Sequence, residues 1–203
     1  MRNRGEDMNQ KRILGILLAA GIIFCPSVWA ATYKLDPDHT TVEFTIRHLF
    51  TKVRGTFNTF EGAFEYEPGK PQSWKADATI QTASIDTRVE QRDNHLRSKD
   101  FFEVETYPTL TFKSTEVTDV TQDGAKLHGL LTIHGVEKPV VLDVTVHGVA
   151  KDPWGNVLAG ATATTRINRK EFGLTWNKTL ETGQVLVGEE VEITIEAEGI
   201  LQP

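Results

Sequence analysis

Residues 84–108, with the sequence SIDTRVEQRDNHLRSKDFFEVETYP, are the one part of this 203-residue chain that breaks the two-residue period of β-strands. Within them Glu90 follows Thr87 by three positions, which is the spacing of a capping box at the start of a helix. Pro108 ends the stretch, because a proline pushes the residue before it out of the helical region. We therefore predict one short helical lid, at about residues 87–104, in a chain that otherwise forms strands and turns.

The predicted lid has features that place it against an apolar surface. Val89 and Leu96 are seven positions apart and so share one face of a helix. Asp100 and Glu103 repeat the capping spacing, and they predict a second short helical turn that carries the pair of phenylalanines between them. Such a pair usually packs against a core, and at the mouth of a barrel it also forms the wall of a pocket.

On both sides of the lid, apolar and polar residues alternate with the period of half-buried strands. Residues 41–48 show this clearly, with Val42, Phe44, Ile46 and His48 on one face. About eight such segments occur, and short turns rather than long crossovers connect them, which predicts an all-β protein. Alternation alone does not distinguish a closed antiparallel barrel from a sandwich, because both bury one face of each strand.

The inner face moves from odd to even positions between Phe57 and Phe60. A strand cannot change phase in this way without an extra residue, so we predict a β-bulge at Asn58-Thr59. The bulge would bring both phenylalanines to one interior.

Short motifs in and around the lid carry a family resemblance. They are Arg92-Asp93, His95-Leu96-Arg97-Ser98, Asp100-Phe101-Phe102 and Tyr107-Pro108 in the lid, with Asp36 to His39, Gly129 to Gly135, Asp152 to Gly155 and Ile167-Asn-Arg169 outside it. In order and spacing these motifs resemble the YceI-like family of bacterial periplasmic proteins, over roughly residues 32–200. The resemblance implies a closed antiparallel, lipocalin-like β-barrel that binds a long polyisoprenoid or a similar amphiphile.

The first thirty residues have the organisation of a secretory signal peptide. Lys11 and Arg12 precede an apolar run at residues 13–24, and small residues follow where signal peptidase reads them. We predict cleavage near Ala30, which leaves residues 31–203 as one β-barrel domain. The apolar run is too short for a membrane span, so we predict that the protein does not span a membrane.

Cys25, the single cysteine, lies inside the predicted leader. A lipoprotein is therefore an alternative, although Phe24 occupies the position where lipoprotein signals need a small residue. Met8 is an alternative to Met1 as the initiator, because the sequence that follows it is already a compact signal. The predicted mature chain has no thiol and needs no disulfide in an oxidising compartment.

The charge of the chain excludes some classes of partner. It has 22 Lys and Arg against 28 Asp and Glu, a net charge of −6, and loss of the leader, with four basic and two acidic residues, lowers this to about −8. Nucleic-acid binding needs clustered positive charge, so we predict no nucleic-acid partner. The net negative charge also disfavours adsorption to anionic lipid headgroups. Transient contact with a membrane is therefore the one form of membrane association that we keep as a possibility.

The predicted inner faces mix large and small apolar side chains, which favours a cavity. The polar candidates for a ligand headgroup are His48, His95 and Arg97. For His48 the alternative is a core histidine bonded to a backbone carbonyl, and for Arg97 it is a salt-bridged network with Arg92 and Asp100 that holds the lid. The candidates for the apolar wall are Phe44, Ile46, Phe57, Phe64, Trp74, Ile80, Phe101, Phe102, Phe112, Leu131, Ala161 and Ile193.

No residue pattern for catalysis stands out in the sequence. There is no G-x-S-x-G elbow, and Ser84 and Ser98 are better explained as turn or capping hydroxyls, so no catalytic residue is predicted. Asp38-His39 and Asp93-x-His95 offer mixed ligands, but not at the spacing of a structural zinc site, and we predict no metal and no cofactor.

These observations predict an exported, non-enzymatic protein, and the resemblance implies the periplasm as its compartment. It would carry, store or sequester a long-chain polyisoprenoid or an isoprenoid quinone-like lipid, a ligand that rests on the resemblance. Two rival functions stay open, a metal-dependent periplasmic enzyme and a stress-related interaction module with a filled core. The headgroup, the chain length and the choice between monomer and homodimer also stay open.

Overall fold

A computed structural model describes residues 31–203, so the predicted leader, its cleavage near Ala30 and its cysteine lie outside the described residues. The described chain forms eleven β-strands and one α-helix, α1, at Glu90–Arg97. No helix among these residues is long and apolar enough to cross a membrane. The strands are β1 (Ala31–Leu35), β2 (Thr41–His48), β3 (Thr51–Phe57), β4 (Phe60–Tyr66), β5 (Lys75–Gln81), β6 (Ile85–Asp86), β7 (Thr109–Thr118), β8 (Gly124–Ile133), β9 (Val136–Lys151), β10 (Val157–Asn168) and β11 (Val187–Leu201).

The strands form one antiparallel sheet that closes on itself. Some neighbouring strands share one position in the wall and are separated only by a break in the strand. These are β1 with β2, β3 with β4 and β5 with β6, so the eleven strands occupy eight positions. The last strand, β11, closes the wall because Val187 to Glu196 pair with β2 while Gly199 to Leu201 pair with β1. The prediction of a closed antiparallel barrel of about eight strands is confirmed.

The predicted irregularity at Asn58-Thr59 is the break between β3 and β4. The N–H of Asn58 donates to the Ser84 carbonyl at 3.2 Å, and the Asn58 side chain accepts from the Thr56 hydroxyl at 2.8 Å. The break shifts the phase of the alternation, and both Phe57 and Phe60 face the interior of the barrel, as predicted.

The helix of the lid begins later than predicted. Val89 rather than Thr87 occupies the N-cap position, and no side chain caps the helix, so the predicted capping box with Glu90 is wrong. A competing local bond is the reason, because the Asp86 carboxylate accepts from the N–H of Arg88 at 2.7 Å and Arg88 takes a left-handed conformation with φ of 64°. The chain therefore turns between Thr87 and Val89, and the helix follows that turn.

The predicted second helical turn at Asp100 is also wrong. Residues 99–106 form hydrogen-bonded turns, in which the Ser98 carbonyl accepts from the N–H groups of Phe101 at 3.0 Å and Glu103 at 2.9 Å. The φ of Glu103 is 46°, a left-handed conformation that a right-handed helix does not contain. These turns still place the phenylalanine pair against the barrel interior.

A compact core joins the lid to the barrel. Ile85 and Phe172 are 0% and 1% exposed, and they pack in one cluster with Phe57 and Leu174. Leu96 of α1 packs against the same cluster. We call this end of the barrel the lid end.

Candidate functional site

A cavity of about 630 Å³ occupies the interior of the barrel, within the range of roughly 300–1,000 Å³ that is usual for small-molecule sites. Ala159, Ala161 and Ala163 of β10 lie on its wall, where larger side chains would fill the space. The barrel is therefore not filled by its own side chains, contrary to the filled-core hypothesis.

The wall of the cavity is mostly apolar and comes from the inner faces of the strands and from the lid. Every apolar residue that the sequence singles out lies on it, although contact with a ligand stays a prediction. These residues are Phe44, Ile46, Phe57, Phe64, Trp74, Ile80, Phe101, Phe102, Phe112, Leu131, Ala161 and Ile193.

Two of the phenylalanine rings lie over glycines of the neighbouring strand. Phe44 pairs with Gly55 across β2 and β3, and a methyl group at Gly55 would lie 2.5 Å from Phe44 Cζ. Phe112 of β7 occupies in the same way the space that a side chain at Gly129 of β8 would need. The close approach requires glycine, and it keeps both rings against the wall of the barrel.

An aromatic cluster connects the lid with a second excursion from the barrel, residues 173–186, which we call the Trp176 loop. The Trp176 ring lies 4.8 Å from the His95 ring and 5.1 Å from the Phe101 ring, measured between centroids. All three residues lie on the cavity wall. Trp176 was missed in the sequence, because the loop has no periodic pattern and its partner in α1 is distant along the chain.

A buried carboxylate bonds α1 to Thr87, the residue that follows β6. Asp93 of α1 is 6% exposed, and its Oδ1 accepts from the backbone N–H of Thr87 at 2.9 Å and from the Thr87 hydroxyl at 2.5 Å. Arg92 adds bonds from Nε to the Thr87 hydroxyl at 2.7 Å and from Nη2 to the Thr87 carbonyl at 2.8 Å. Thr87 therefore matters to the lid as a partner of Asp93 and Arg92 and not as a helix cap.

Arg97, a headgroup candidate, does not line the cavity. Its Nε donates to the Ala83 carbonyl at 2.8 Å and its Nη2 to the Ile85 carbonyl at 2.6 Å. These bonds fix α1 to the chain that precedes the lid. The predicted network of Arg92, Arg97 and Asp100 does not form, because Asp100 instead contacts His95, with Oδ2 3.0 Å from Nε2.

The other two headgroup candidates, His48 and His95, do lie on the cavity wall. The His95 ring bonds to Asp100, whereas the His48 ring makes no hydrogen bond within residues 31–203. The alternative hypothesis for His48, that it is a core histidine bonded to a backbone carbonyl, is therefore wrong for the described chain. His48 stands opposite Val187 in the β2–β11 ladder, at the start of β11.

Arg169 is a polar residue of the wall that was not among the headgroup candidates. It is 3% exposed, and its Nε donates to the Gly188 carbonyl at 2.8 Å. Its Nη1 donates to the carbonyls of Leu174 at 2.5 Å and Trp176 at 2.9 Å, which fixes the Trp176 loop. Burial lowers the pKa of the guanidinium from its usual value, and the charge of Glu189 partly opposes this shift.

Three buried side-chain atoms have no hydrogen-bond partner among the described residues, Thr82 Oγ1, His134 Nε2 and Arg169 Nη2. Of the three residues, Arg169 alone lies on the cavity wall. A buried donor without a partner costs about 1–3 kcal/mol, and more when it carries charge. Sequence reasoning placed Arg169 in a family motif but had no signal for its burial, because its partners are backbone carbonyls brought together by the fold.

One exposed cluster combines a histidine with carboxylates. In residues 31–203, Asp36, His39 and Glu198 form the one group of three metal-ligand types whose ligand atoms lie within 4.8 Å of one another. His39 Nδ1 lies 2.8 Å from Asp36 Oδ2, an ion pair that raises the pKa of His39 and lowers that of Asp36. Of the pairs considered in the sequence, His39 belongs to this group and Asp38 does not, and Asp93 bonds to Thr87.

Both the sequence and the fold match known proteins. A family model described as YceI-like domain matches residues 33–199. A UPF0312 protein of Serratia proteamaculans is 39% identical over 196 residues, which cover 95% of this chain and 98% of that protein. The crystal structure of the Campylobacter jejuni YCEI protein has a TM-score of 0.67 and 31% identity, over 77% of this chain and 90% of that chain. A polyisoprenoid binding domain from Saccharophagus degradans has a TM-score of 0.61 and 16% identity, over 84% of this chain and 98% of that chain.

Proposed function

Because the chain belongs to the YceI-like family, we propose that it binds a long-chain polyisoprenoid, or an isoprenoid quinone-like amphiphile, inside the barrel. The observation that carries the proposal is the cavity of about 630 Å³ with its mostly apolar wall. The domain from Saccharophagus degradans shares the fold and binds polyisoprenoid, which supports the choice of ligand class.

The role that fits such a cavity is binding rather than catalysis. The protein would carry, store or sequester the lipid, because a long apolar tail in a closed barrel is shielded from water. The predicted leader, together with the family resemblance, would place this activity in the periplasm, where an apolar molecule needs a carrier to cross an aqueous space.

The length of the tail should decide affinity. Each buried methylene contributes roughly 0.8 kcal/mol, whereas association costs roughly 4–15 kcal/mol in lost freedom. A twenty-carbon isoprenoid chain offsets this cost and a five-carbon alcohol does not. The cavity should therefore select long chains over short chains with the same headgroup.

The test compares purified protein before and after lipid extraction. Native mass spectrometry of the first should show bound lipid, and the extracted protein should melt at a lower temperature. Geranylgeraniol, with twenty carbons, should restore the melting temperature, and prenol, with five, should not. A ligand at a hundred times its dissociation constant adds about 2.7 kcal/mol to the free energy of unfolding.

A matched pair of variants locates the binding in the cavity. Ala161→Phe adds a ring on the cavity side of β10, and Thr164→Phe adds the same ring on the exposed face of the same strand. We expect the first to weaken binding and the second to leave it unchanged. Equal melting temperatures before and after extraction, with no shift on adding geranylgeraniol, would refute the proposal.

A further inference from the structure

Arg169 places a positive charge in the wall of an apolar cavity. Arg169 is 3% exposed and lies on the same wall as the phenylalanines and alanines that form the cavity. Its Nη2 has no hydrogen-bond partner among residues 31–203, whereas its Nε and Nη1 both donate to backbone carbonyls. A buried, charged donor without an acceptor is unfavourable unless a further group binds there.

The charge of Arg169 is not paired within the described chain. None of the ion pairs there includes Arg169, and the neighbouring carboxylate of Glu189 bonds to Lys170. Three carbonyls, from Gly188, Leu174 and Trp176, hold the guanidinium by its Nε and Nη1. The unpaired Nη2 is therefore held in a fixed orientation before any ligand arrives, which lowers the cost of binding to it.

We propose that Arg169 binds the head of the ligand, and that this head is an oxyanion, a carboxylate or a phosphate, on the apolar tail. The inference rests on the proposed function, because it assumes that the tail occupies the cavity. An oxyanion supplies both the acceptor that Nη2 lacks and the negative charge that the buried guanidinium lacks. A neutral hydroxyl or quinone carbonyl supplies the acceptor alone.

His48 supports the same placement of the head. Its ring lies on the cavity wall without a hydrogen bond among the described residues, and it stands opposite Val187, next to the Gly188 carbonyl that holds Arg169. A head bound at Arg169 would lie at the lid end, and the tail would extend along the wall between β10 and the phenylalanines.

The experiment measures the affinity of the lipid-free protein for three ligands with tails of similar length. They are geranylgeranyl monophosphate, geranylgeraniol and arachidic acid, so the two oxyanions and the neutral head are compared directly. At least one oxyanion should bind about tenfold tighter than the alcohol or better, as a charge-assisted hydrogen bond predicts. The anion that binds with higher affinity indicates whether the head comes from an isoprenoid phosphate or from a fatty acid.

Two variants assign the difference to Arg169. Arg169→Met should reduce the preference for the oxyanion to about twofold or less, and Arg166→Met, which removes the same charge from the exposed face of β10 three residues earlier, should preserve it. If Arg169→Met does not fold, NMR of wild-type protein with labelled arginine side chains replaces it. The Arg169 Nη2 signals should then shift with the preferred anion and not with the alcohol.

The outcomes separate the two proposals. Equal affinity for anions and alcohol, a preference that survives in Arg169→Met, or unshifted Arg169 signals would overturn the assignment of the head and leave the lipid-binding function standing. Binding of none of the three ligands would overturn the function itself and this inference with it.

Discussion

The lid and the Trp176 loop leave the barrel at the same end, and both contribute to the cavity wall, yet they are anchored differently. In the lid, the buried carboxylate of Asp93 accepts from the N–H and hydroxyl of Thr87, and Arg97 donates to the carbonyls of Ala83 and Ile85, so its polar groups have partners. The loop is held by a buried cation, Arg169, which keeps one donor unpaired. A satisfied polar network makes a fold rigid, whereas a buried donor without a partner is unfavourable unless a further group binds to it.

The largest expected effect is the loss of the loop anchor. Arg169→Met leaves three backbone carbonyls without their donor and should lower the free energy of unfolding by about 3–5 kcal/mol, because a buried polar group that loses its partner costs about 1–3 kcal/mol. Hydrogen exchange should accelerate in residues 173–186 more than in α1. Equal acceleration in both would mean that the lid and the loop are one structural unit.

Loss of the lid anchor should have a somewhat smaller effect. Asp93→Ala leaves the Thr87 N–H and hydroxyl without their acceptor and should cost about 2–4 kcal/mol in urea unfolding. Glu90→Ala, at an exposed position of the same helix, is the control and should change stability by less than about 0.5 kcal/mol. If both variants unfold at the same urea concentration, Asp93 does not anchor the lid.

The contact between the two excursions should be measurable by itself. A double-mutant cycle of His95→Ala and Trp176→Ala should give a coupling energy of about 0.5–1.5 kcal/mol, because the two rings meet edge to face. Additive effects would show that the lid and the loop act independently.

The smallest effect should come from the exposed Asp36–His39 pair, which lies in neither excursion. The pKa of His39 is raised, so its contribution is present below about pH 6.5 and is lost as the pH rises through the folded pKa. The pKa of Asp36 is lowered, so its contribution is present above about pH 3.9 and is lost as the pH falls through the folded pKa.

The melting temperatures of wild type and His39→Asn should therefore differ most near pH 5 and converge by about pH 8. A difference that stays constant over this range would contradict the pairing. The effect should be small at all pH values, because the pair is exposed to solvent and screened by salt.

The sequence predicted what depends on periodicity and failed where a contact depends on folding. Alternation within each strand was enough to place residues such as Phe44 and Ile193 on one wall, because the side-chain period of a strand is a local property. The capping box at Thr87 failed because Asp86 offers the backbone a competing bond one residue earlier. Arg169 was missed because backbone carbonyls bind it, and every residue carries a carbonyl.

The glycines under the phenylalanine rings help to set the width of the barrel interior, although they are not among the residues that line the cavity. A methyl group at Gly129 would collide with the Phe112 ring and push it toward the interior, although every wall residue would keep its identity. Relatives that differ at this position would therefore have barrel interiors of different width. They would accept lipid tails of different thickness, although the position itself does not line the cavity. Comparing only the residues that line the cavity would overlook this source of selectivity.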